Sequence, residues 1–337
     1  MTEVRALGAS GLGITPLVLG GNVFGWTADK ATSFRILDRF AEAGGVMIDT
    51  ADVYSAWVPG HQGGESESMI GEWLKASGKR DKVLIATKVG MLPMSGGLPH
   101  LTPEEIASAA DASLRRLGVD TIDLYFSHSD PHPHFRHEDV LGAFARLIDA
   151  GKVRSIGASN FKAASLKAAL DIATREGLPH YRVLQPEYNL VARHSFEGEL
   201  QDLCITHNLG VIPFFGLASG FLTGKYRSLD DASKSPRGVK AAGWLKTKTA
   251  ILPEMDRVAA ETGATLSQIA LAWLAAQPGI TAPISSATSV AQLDELLGAW
   301  DVSLTQEQLN RLSAAGAEGA EQVPVPPSPK KVEEKAD

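Results

Sequence analysis

Four polar side chains stand where the surrounding sequence is apolar, and their types suit one kind of chemistry. Asp49 stands next to last in the run VMIDT, Tyr54 follows five residues later, Lys88 is embedded between VLIAT and VGM, and His128 follows TIDLYFS. An ammonium group inside so apolar a stretch is costly unless a carboxylate meets it, and Asp49 is the natural partner. A tyrosine hydroxyl beside that ammonium is expected to have its pKa of about 10 pulled down, which makes Tyr54 a proton donor near neutral pH. A histidine opposite it can orient a carbonyl oxygen. The pair then forms a place for the oxyanion that develops when a hydride reaches the carbonyl carbon. Taken singly, each residue has a structural reading: Asp49 as a cap, Tyr54 as an anchor. Lys88 has a second chemical reading, as a Schiff-base lysine.

These four positions need a scaffold that gathers strand ends, and the sequence predicts one. Short β-branched runs recur with helical segments between them: residues 17–21, 46–50, 83–89, 121–127, 153–159, 183–189, 210–215 and 280–285. In ATSFRILDRFAEAG, the residues Phe34, Ile36, Leu37, Phe40 and Ala41 keep to one face before Gly44 and Gly45. In the segment after Leu101, Thr102 is the expected N-cap, Pro103 suits the first turn, and Glu105 completes a capping box. Alternating strands and helices imply parallel pairing with right-handed crossovers. The expected fold class is α/β, a (β/α)8 TIM barrel with an N-terminal β-hairpin and extra helices, whose functional groups gather at the carboxyl ends of the strands.

Residues 5–15, with glycines at 8, 11 and 13, read as the hairpin. Residues 1–317 are expected to form a single domain. Residues 228–248 read as a mobile loop over a site, and the Pro-rich, charged stretch 318–337 as a disordered tail.

Composition narrows the function further. The chain has 337 residues, 44% of them hydrophobic, with a net charge of -7 and its Lys and Arg residues dispersed, which argues against nucleic acid as a partner. The one cysteine, Cys204, excludes an internal disulfide framework and suits a reducing compartment. No signal-like start and no apolar run of about 18 residues are present, so the expectation is a cytoplasmic protein with no membrane partner. The oligomeric state is not legible.

The motifs IDTADVYS, GGESESMIGEWL, ATKVG, LRRLGVDTIDLYFSH, GKVRSIGASNF, LQPEYNLV and VIPFFGLASGFLTGKY together resemble the aldo-keto reductase family, from the opening RALGASGLG to about residue 315. The resemblance implies that Asp49, Tyr54, Lys88 and His128 are a catalytic tetrad, with Tyr54 as general acid for reduction and base for oxidation. It implies a small-molecule carbonyl substrate and NADP(H) across the barrel mouth. Ser159, Asn160 and Gln185 are similar to the residues that hold the nicotinamide amide, and Phe214 stands where a ring stacks on the nicotinamide. Leu217, Ser219, Leu222 and Lys225 match positions around the pyrophosphate. Ser286, Thr288, Gln292 and Glu295 would line the adenosine end.

Thr288 stands where many members carry Arg. In the branch similar to voltage-gated potassium channel β subunits a small hydroxyl residue is used there, with an Arg from the long loop, which Arg237 matches. This favours NADP(H) over NAD(H). The chain departs from the family pattern at Leu296, usually Asn, and at Phe215 and Gly216, usually Ser-Pro. The same branch supplies an alternative function, a nucleotide-binding, redox-sensing regulatory subunit with little turnover. That branch typically carries Asn where this chain has His128, which argues for turnover here.

Two other motifs are read against their obvious meaning. SGFLTGKY mimics a phosphate-binding loop, but Ser219 replaces its first glycine and Tyr226 its magnesium-binding hydroxyl. The histidines 128, 132, 134 and 137 are spaced for zinc, but prolines 131 and 133 prevent a helix from gathering them, so a solvent-facing loop at the substrate mouth is expected and no metal. Trp57 reads as a wall of that mouth.

Overall fold

The computed structural model describes residues 3–93, 99–234 and 238–317. A two-stranded antiparallel hairpin, β1 (Arg5–Ala6) and β2 (Gly13–Ile14), precedes the barrel. Eight parallel strands follow: β3 (Val18–Gly20), β4 (Met47–Asp49), β5 (Leu84–Val89), β6 (Ile122–Ser127), β7 (Val153–Ser159), β8 (Val183–Gln185), β9 (Gly210–Val211) and β10 (Ile284–Ser285). Each strand from β3 to β8 pairs with its successor, and β10 pairs with β3. The remaining seam is joined by the Thr281 N–H donating to Val211 O at 2.9 Å and the Ile284 N–H donating to Pro213 O at 2.9 Å. The expected (β/α)8 barrel is therefore present, and every expected strand run contains one of its strands.

Strand alternation decides what faces the barrel axis. Val18, Met47, Ala86, Leu124, Phe126, Val183 and Ile212 form the interior, closed at the amino-terminal end by Leu7, Leu12 and Ile14 of the hairpin segment. Gly157 leaves room for Phe126: a Cβ on Gly157 would lie 2.3 Å from the Phe126 ring. The other strand faces and the inner stripes of the helices form the second core layer, which includes Ile36, Phe40, Trp73, Tyr125 and Phe144.

Side-chain caps set several helix starts, the expected one at Thr102 among them. The first, Lys30–Glu42, is capped by Asp29 Oδ1, which accepts from the Thr32 N–H at 2.8 Å, and it buries Ile36, Leu37 and Phe40. Helix Pro103–Leu117 carries the full capping box: Glu105 N–H donates to Thr102 Oγ1, and Thr102 N–H donates to Glu105 Oε2.

The segment 228–248 differs from expectation. It holds a 3-10 turn, Leu229–Lys234, and a helix, Gly238–Thr247, packed against the 3-10 turn Ala218–Thr223. Lys248 is buried, its ammonium donating to Gly316 O at 2.9 Å. Its packing against a neighbouring turn is a tertiary effect that composition does not reveal. Arg237, residues 94–98 of the loop after β5 and the stretch 318–337 lie outside the described residues. No described helix is long and apolar enough to cross a membrane.

Candidate active site

The two-residue period that fills the barrel also builds the site. Asp49 lies two residues beyond Met47, Lys88 two beyond Ala86, His128 two beyond Phe126, Ser159 two beyond Gly157, and Gln185 two beyond Val183. Each therefore shares the inward orientation of a core residue and sits one layer nearer the carboxyl end.

Lys88 is the hub. Its fully buried ammonium donates to Asp49 Oδ2 at 2.7 Å, to the Thr50 carbonyl at 2.7 Å and to the Tyr54 hydroxyl at 3.2 Å. Its three protons are matched by three acceptors, which satisfies the charge that burial would otherwise penalise. Burial works against the cation, but Asp49 and then Tyr54 outweigh it and hold the Lys88 pKa above its ordinary value. A Schiff-base lysine needs the neutral amine, so this environment opposes that reading.

Tyr54 departs from expectation in its acidity. Burial of its hydroxyl raises the pKa above 10, more than the neighbouring Lys88 lowers it. At neutral pH Tyr54 is a phenol with its proton in place. His128 is buried, its ring edge-on to Tyr54 with centroids 6.0 Å apart. Burial first and Lys88 second push its pKa well below 6.5, so the imidazole is neutral. Its Nδ1 has no hydrogen-bond partner among the described residues.

The residues matched to the nicotinamide amide come together around this group. Ser159 Oγ donates to Gln185 O at 3.0 Å, and Asn160 Nδ2 donates to His128 O at 2.9 Å and to Ser159 Oγ at 3.2 Å. Asn160 adopts φ 60°, which turns its amide back over the strand end. Gln185 Nε2 donates to Asp49 Oδ1 at 2.8 Å, a link that the sequence alone did not suggest.

Phe214 is half-buried, with its ring edge-on to Phe215 at 5.0 Å, and the Phe215 backbone, at φ 57°, is held by Asn189 Nδ2 on its carbonyl. A run of positive φ at Ala218, Ser219 and Gly220 folds the next turn tightly. A Cβ on Gly220 would lie 3.1 Å from Lys225 Nζ, so the bare glycine is what lets that ammonium cross the turn. Leu217 is partly exposed there, whereas the Leu222 side chain is fully buried and its N–H donates to Leu217 O.

At the far end, Thr288 N–H and Oγ1 both donate to Gln292 Oε1 at 2.9 Å, and Ser289 caps helix Val290–Leu297. Ser286 Oγ donates to Asn22 Oδ1 at 2.8 Å, so Asn22, just past β3, belongs to this end as well. Inspection of every strand end would have found it. Glu295 is committed elsewhere: its Oε1 accepts from Thr265 Oγ1 at 2.9 Å, at the start of helix Leu266–Ala275. Leu296 is buried core.

The mouth has an aromatic rim. Trp57, 40% exposed, stands edge-on to Trp26 at 5.6 Å and to Tyr54 at 5.8 Å. The histidine-rich loop is only partly the solvent-facing feature expected. His137 is buried at the start of helix His137–Asp149, its Nε2 3.2 Å from Ser165 Oγ, which itself donates to Asp130 Oδ1. Among the described residues no group of three or more His, Cys, Asp or Glu is placed to hold a metal.

A buried Lys and Asp and a half-buried Tyr at the mouth of a barrel, with a neutral His beside them, form an arrangement to compare with known proteins. The model of the Aldo/keto reductase family matches residues 16–317. The chain belongs to the aldo/keto reductase family. Relatives include the uncharacterised oxidoreductase YrpG of Bacillus subtilis, 33% identical over 92% of this chain and 95% of that protein. A probable voltage-gated potassium channel subunit beta of Oryza sativa is 31% identical over 93% of this chain and 96% of its own length. An aryl-alcohol dehydrogenase [NADP(+)] of Phanerodontia chrysosporium is 29% identical over 90% of this chain and 83% of its own.

Proposed function

We propose that this aldo/keto reductase reduces aldehydes or ketones to alcohols with NADP(H), and that Tyr54 supplies the proton. The observation that carries the reading is the Lys88 ammonium bound at once to Asp49 and to the Tyr54 hydroxyl, at 2.7 and 3.2 Å.

The donor set suits a dinucleotide. Ser159, Asn160 and Gln185 offer amide and hydroxyl groups beside Tyr54, and Phe214 offers a flat face. Lys225 over the Gly220 turn suits a phosphate. The capped helix start at Thr288 and Ser289, with its partial positive charge, suits a second anionic group. NADP(H) is favoured over NAD(H) on this ground, together with the cofactor printed in the name of the Phanerodontia relative.

A dinucleotide held by Ser159, Asn160, Gln185 and Phe214 would supply hydride chemistry at the carbonyl carbon. Tyr54 donates its proton to the carbonyl oxygen as the C–H bond forms and the C=O π bond becomes the alcohol O–H. The phenolate left behind is stabilised by Lys88, whose charge Asp49 holds in place, and it regains a proton from water at the mouth. Neutral His128 orients the carbonyl oxygen, as an imidazolium beside Lys88 would be repelled. The reverse sequence oxidises an alcohol.

Fluorescence titration with NADPH and NADH, followed by turnover on aldehydes, quinones and keto-sugars, tests the proposal. Tight NADPH binding with turnover on at least one class supports it. The similarity to a channel subunit favours a second reading, a nucleotide-binding regulator. Slow turnover on every carbonyl, with tightly retained nucleotide, would select it.

A further inference from the structure

Among the buried acids that take no part in the proton transfer, Asp52 is the one in the loop of Tyr54. Asp52 lies between Asp49 and Tyr54 and is buried, and its Oδ1 has no hydrogen-bond partner among the described residues. Its backbone N–H donates to the Lys88 carbonyl at 3.3 Å, which sets it against the strand that carries the hub cation. The charged and titratable groups that face it are Glu67 from helix Glu65–Ser77, Arg116 from helix Pro103–Leu117, Lys88 from β5 and Tyr125 from β6, with Tyr54 in its own loop.

Charge counting in this space is informative. Glu67 is fully buried, and it accepts from Thr87 Oγ1 on one oxygen and from Arg116 Nε on the other, each at 2.6 Å. The guanidinium is therefore engaged with Glu67. Lys88 is engaged with Asp49, Thr50 and Tyr54. Tyr125 is fully buried with a hydroxyl that also has no partner among the described residues, and it cannot supply positive charge. One guanidinium lies near two carboxyl groups and is bonded to Glu67, and a buried carboxylate with no cation bonded to it is among the costliest arrangements in a protein. The favourable state keeps the Arg116–Glu67 ion pair and protonates Asp52. Burial first and the Glu67 charge second push the Asp52 pKa up to about 8, against the pull of Arg116, the Val53 N–H and Lys88.

We propose that Asp52 is a positioning residue for the proton transfer: as the neutral acid it leaves the field of Lys88 to Tyr54, and once ionised it makes Tyr54 a weaker acid. The inference rests on the reductase reading for its kinetic consequence, though the coupling between the two groups stands without it. Ionised Asp52 opposes phenolate formation at Tyr54, in the same direction as Asp49 does. Burial holds the Tyr54 hydroxyl above its ordinary range, so the alkaline decline of carbonyl reduction begins with the ionisation of Asp52.

The test is a titration of the full-length protein carrying 13C in its Asp carboxyl and Tyr Cζ positions. The carboxyl signal lost in Asp52→Asn should titrate near pH 8, and the Tyr54 signal, assigned by Tyr54→Phe, should ionise at lower pH in Asp52→Asn than in the wild type. An Asp52 signal in the ordinary carboxylate range, or a Tyr54 titration identical in both proteins, overturns the proposal. Should Asp52→Asn fail to fold, Glu67→Gln removes the neighbouring charge and must lower the Asp52 titration; an unmoved one is equally fatal. In steady-state reduction of an aldehyde, the alkaline limb of kcat/KM moves to higher pH in Asp52→Asn, and an unmoved limb overturns the proposal. A wild type with no carbonyl turnover sinks the reductase reading instead, and the two titrations still decide the coupling.

Discussion

Gln185 donates to the oxygen of Asp49 that Lys88 does not use: Nε2 to Oδ1 at 2.8 Å on one side, Nζ to Oδ2 at 2.7 Å on the other. The carboxylate is clamped from two strands across the barrel mouth, β5 and β8, and its orientation fixes where the ammonium meets Tyr54. Gln185→Leu removes one jaw of that clamp without adding charge. Displacement of a catalytic constellation by about 1 Å can cost on the order of 100-fold in rate, and kcat under saturating NADPH should fall by roughly that factor. Unchanged kcat would show that Lys88 alone holds Asp49.

Tyr54→Phe deletes the proton donor and leaves the ring. General acid catalysis contributes roughly 10^2 to 10^4 in rate, so kcat for carbonyl reduction should drop by about that much. NADPH affinity, read by fluorescence quenching, should stay nearly constant because the phenol acts mainly in the transition state. Normal turnover in this variant discards the assignment.

Lys88→Met leaves Asp49 as a buried anion with no cation. Breaking a buried pair from one side typically costs about 3–5 kcal/mol, and urea unfolding should show a loss of that order. Adding Asp49→Asn to it should restore much of the stability while leaving turnover absent, since the penalty lies in the unpaired charge. Borohydride treatment of the wild type with a carbonyl compound should leave Lys88 unlabelled. A labelled Lys88 would revive the Schiff-base reading.

Asp52 also predicts a pH dependence of stability. Its folded-state pKa, about 8, lies above the unfolded value of about 3.9, so between those limits the unfolded chain releases a proton that the folded protein keeps. Stability falls as pH rises through that window, by up to roughly 5 kcal/mol from this group alone. Asp52→Asn removes the proton and with it this part of the slope. Chemical denaturation at pH 5 and pH 8 should show the variant gaining on the wild type as pH rises; parallel behaviour would refute the raised pKa.

Gly157→Ala tests the packing beneath the site. The added Cβ would lie 2.3 Å from the Phe126 ring, which is fully buried in the barrel interior. Overpacking of this kind typically costs about 1–3 kcal/mol. The ring lies one layer below His128, so the shift should reach the site and show as a raised KM for the carbonyl substrate.

The inward placement of Asp49, Lys88 and His128 was legible in the sequence because strand alternation is local: a polar residue two positions beyond a core residue faces the same way whatever the rest of the chain does. The capping box at Thr102 and Glu105 and the Asp29 cap of the first helix belong to the same class, since their bonds span three residues. Protonation states were not legible. Tyr54 is less acidic than its neighbour Lys88 suggests, and Asp52 is neutral, because both follow from how much water the assembled barrel excludes and from which cations are already engaged. Glu295 faces Thr265 and Gln185 reaches Asp49 through contacts made across long sequence separations. Residues 238–247 coil into a helix against the 218–223 turn, although their composition reads as loop. Local periodicity set which residues line the mouth, while desolvation and long-range pairing, which exist only once the barrel closes, set what each of them can do there.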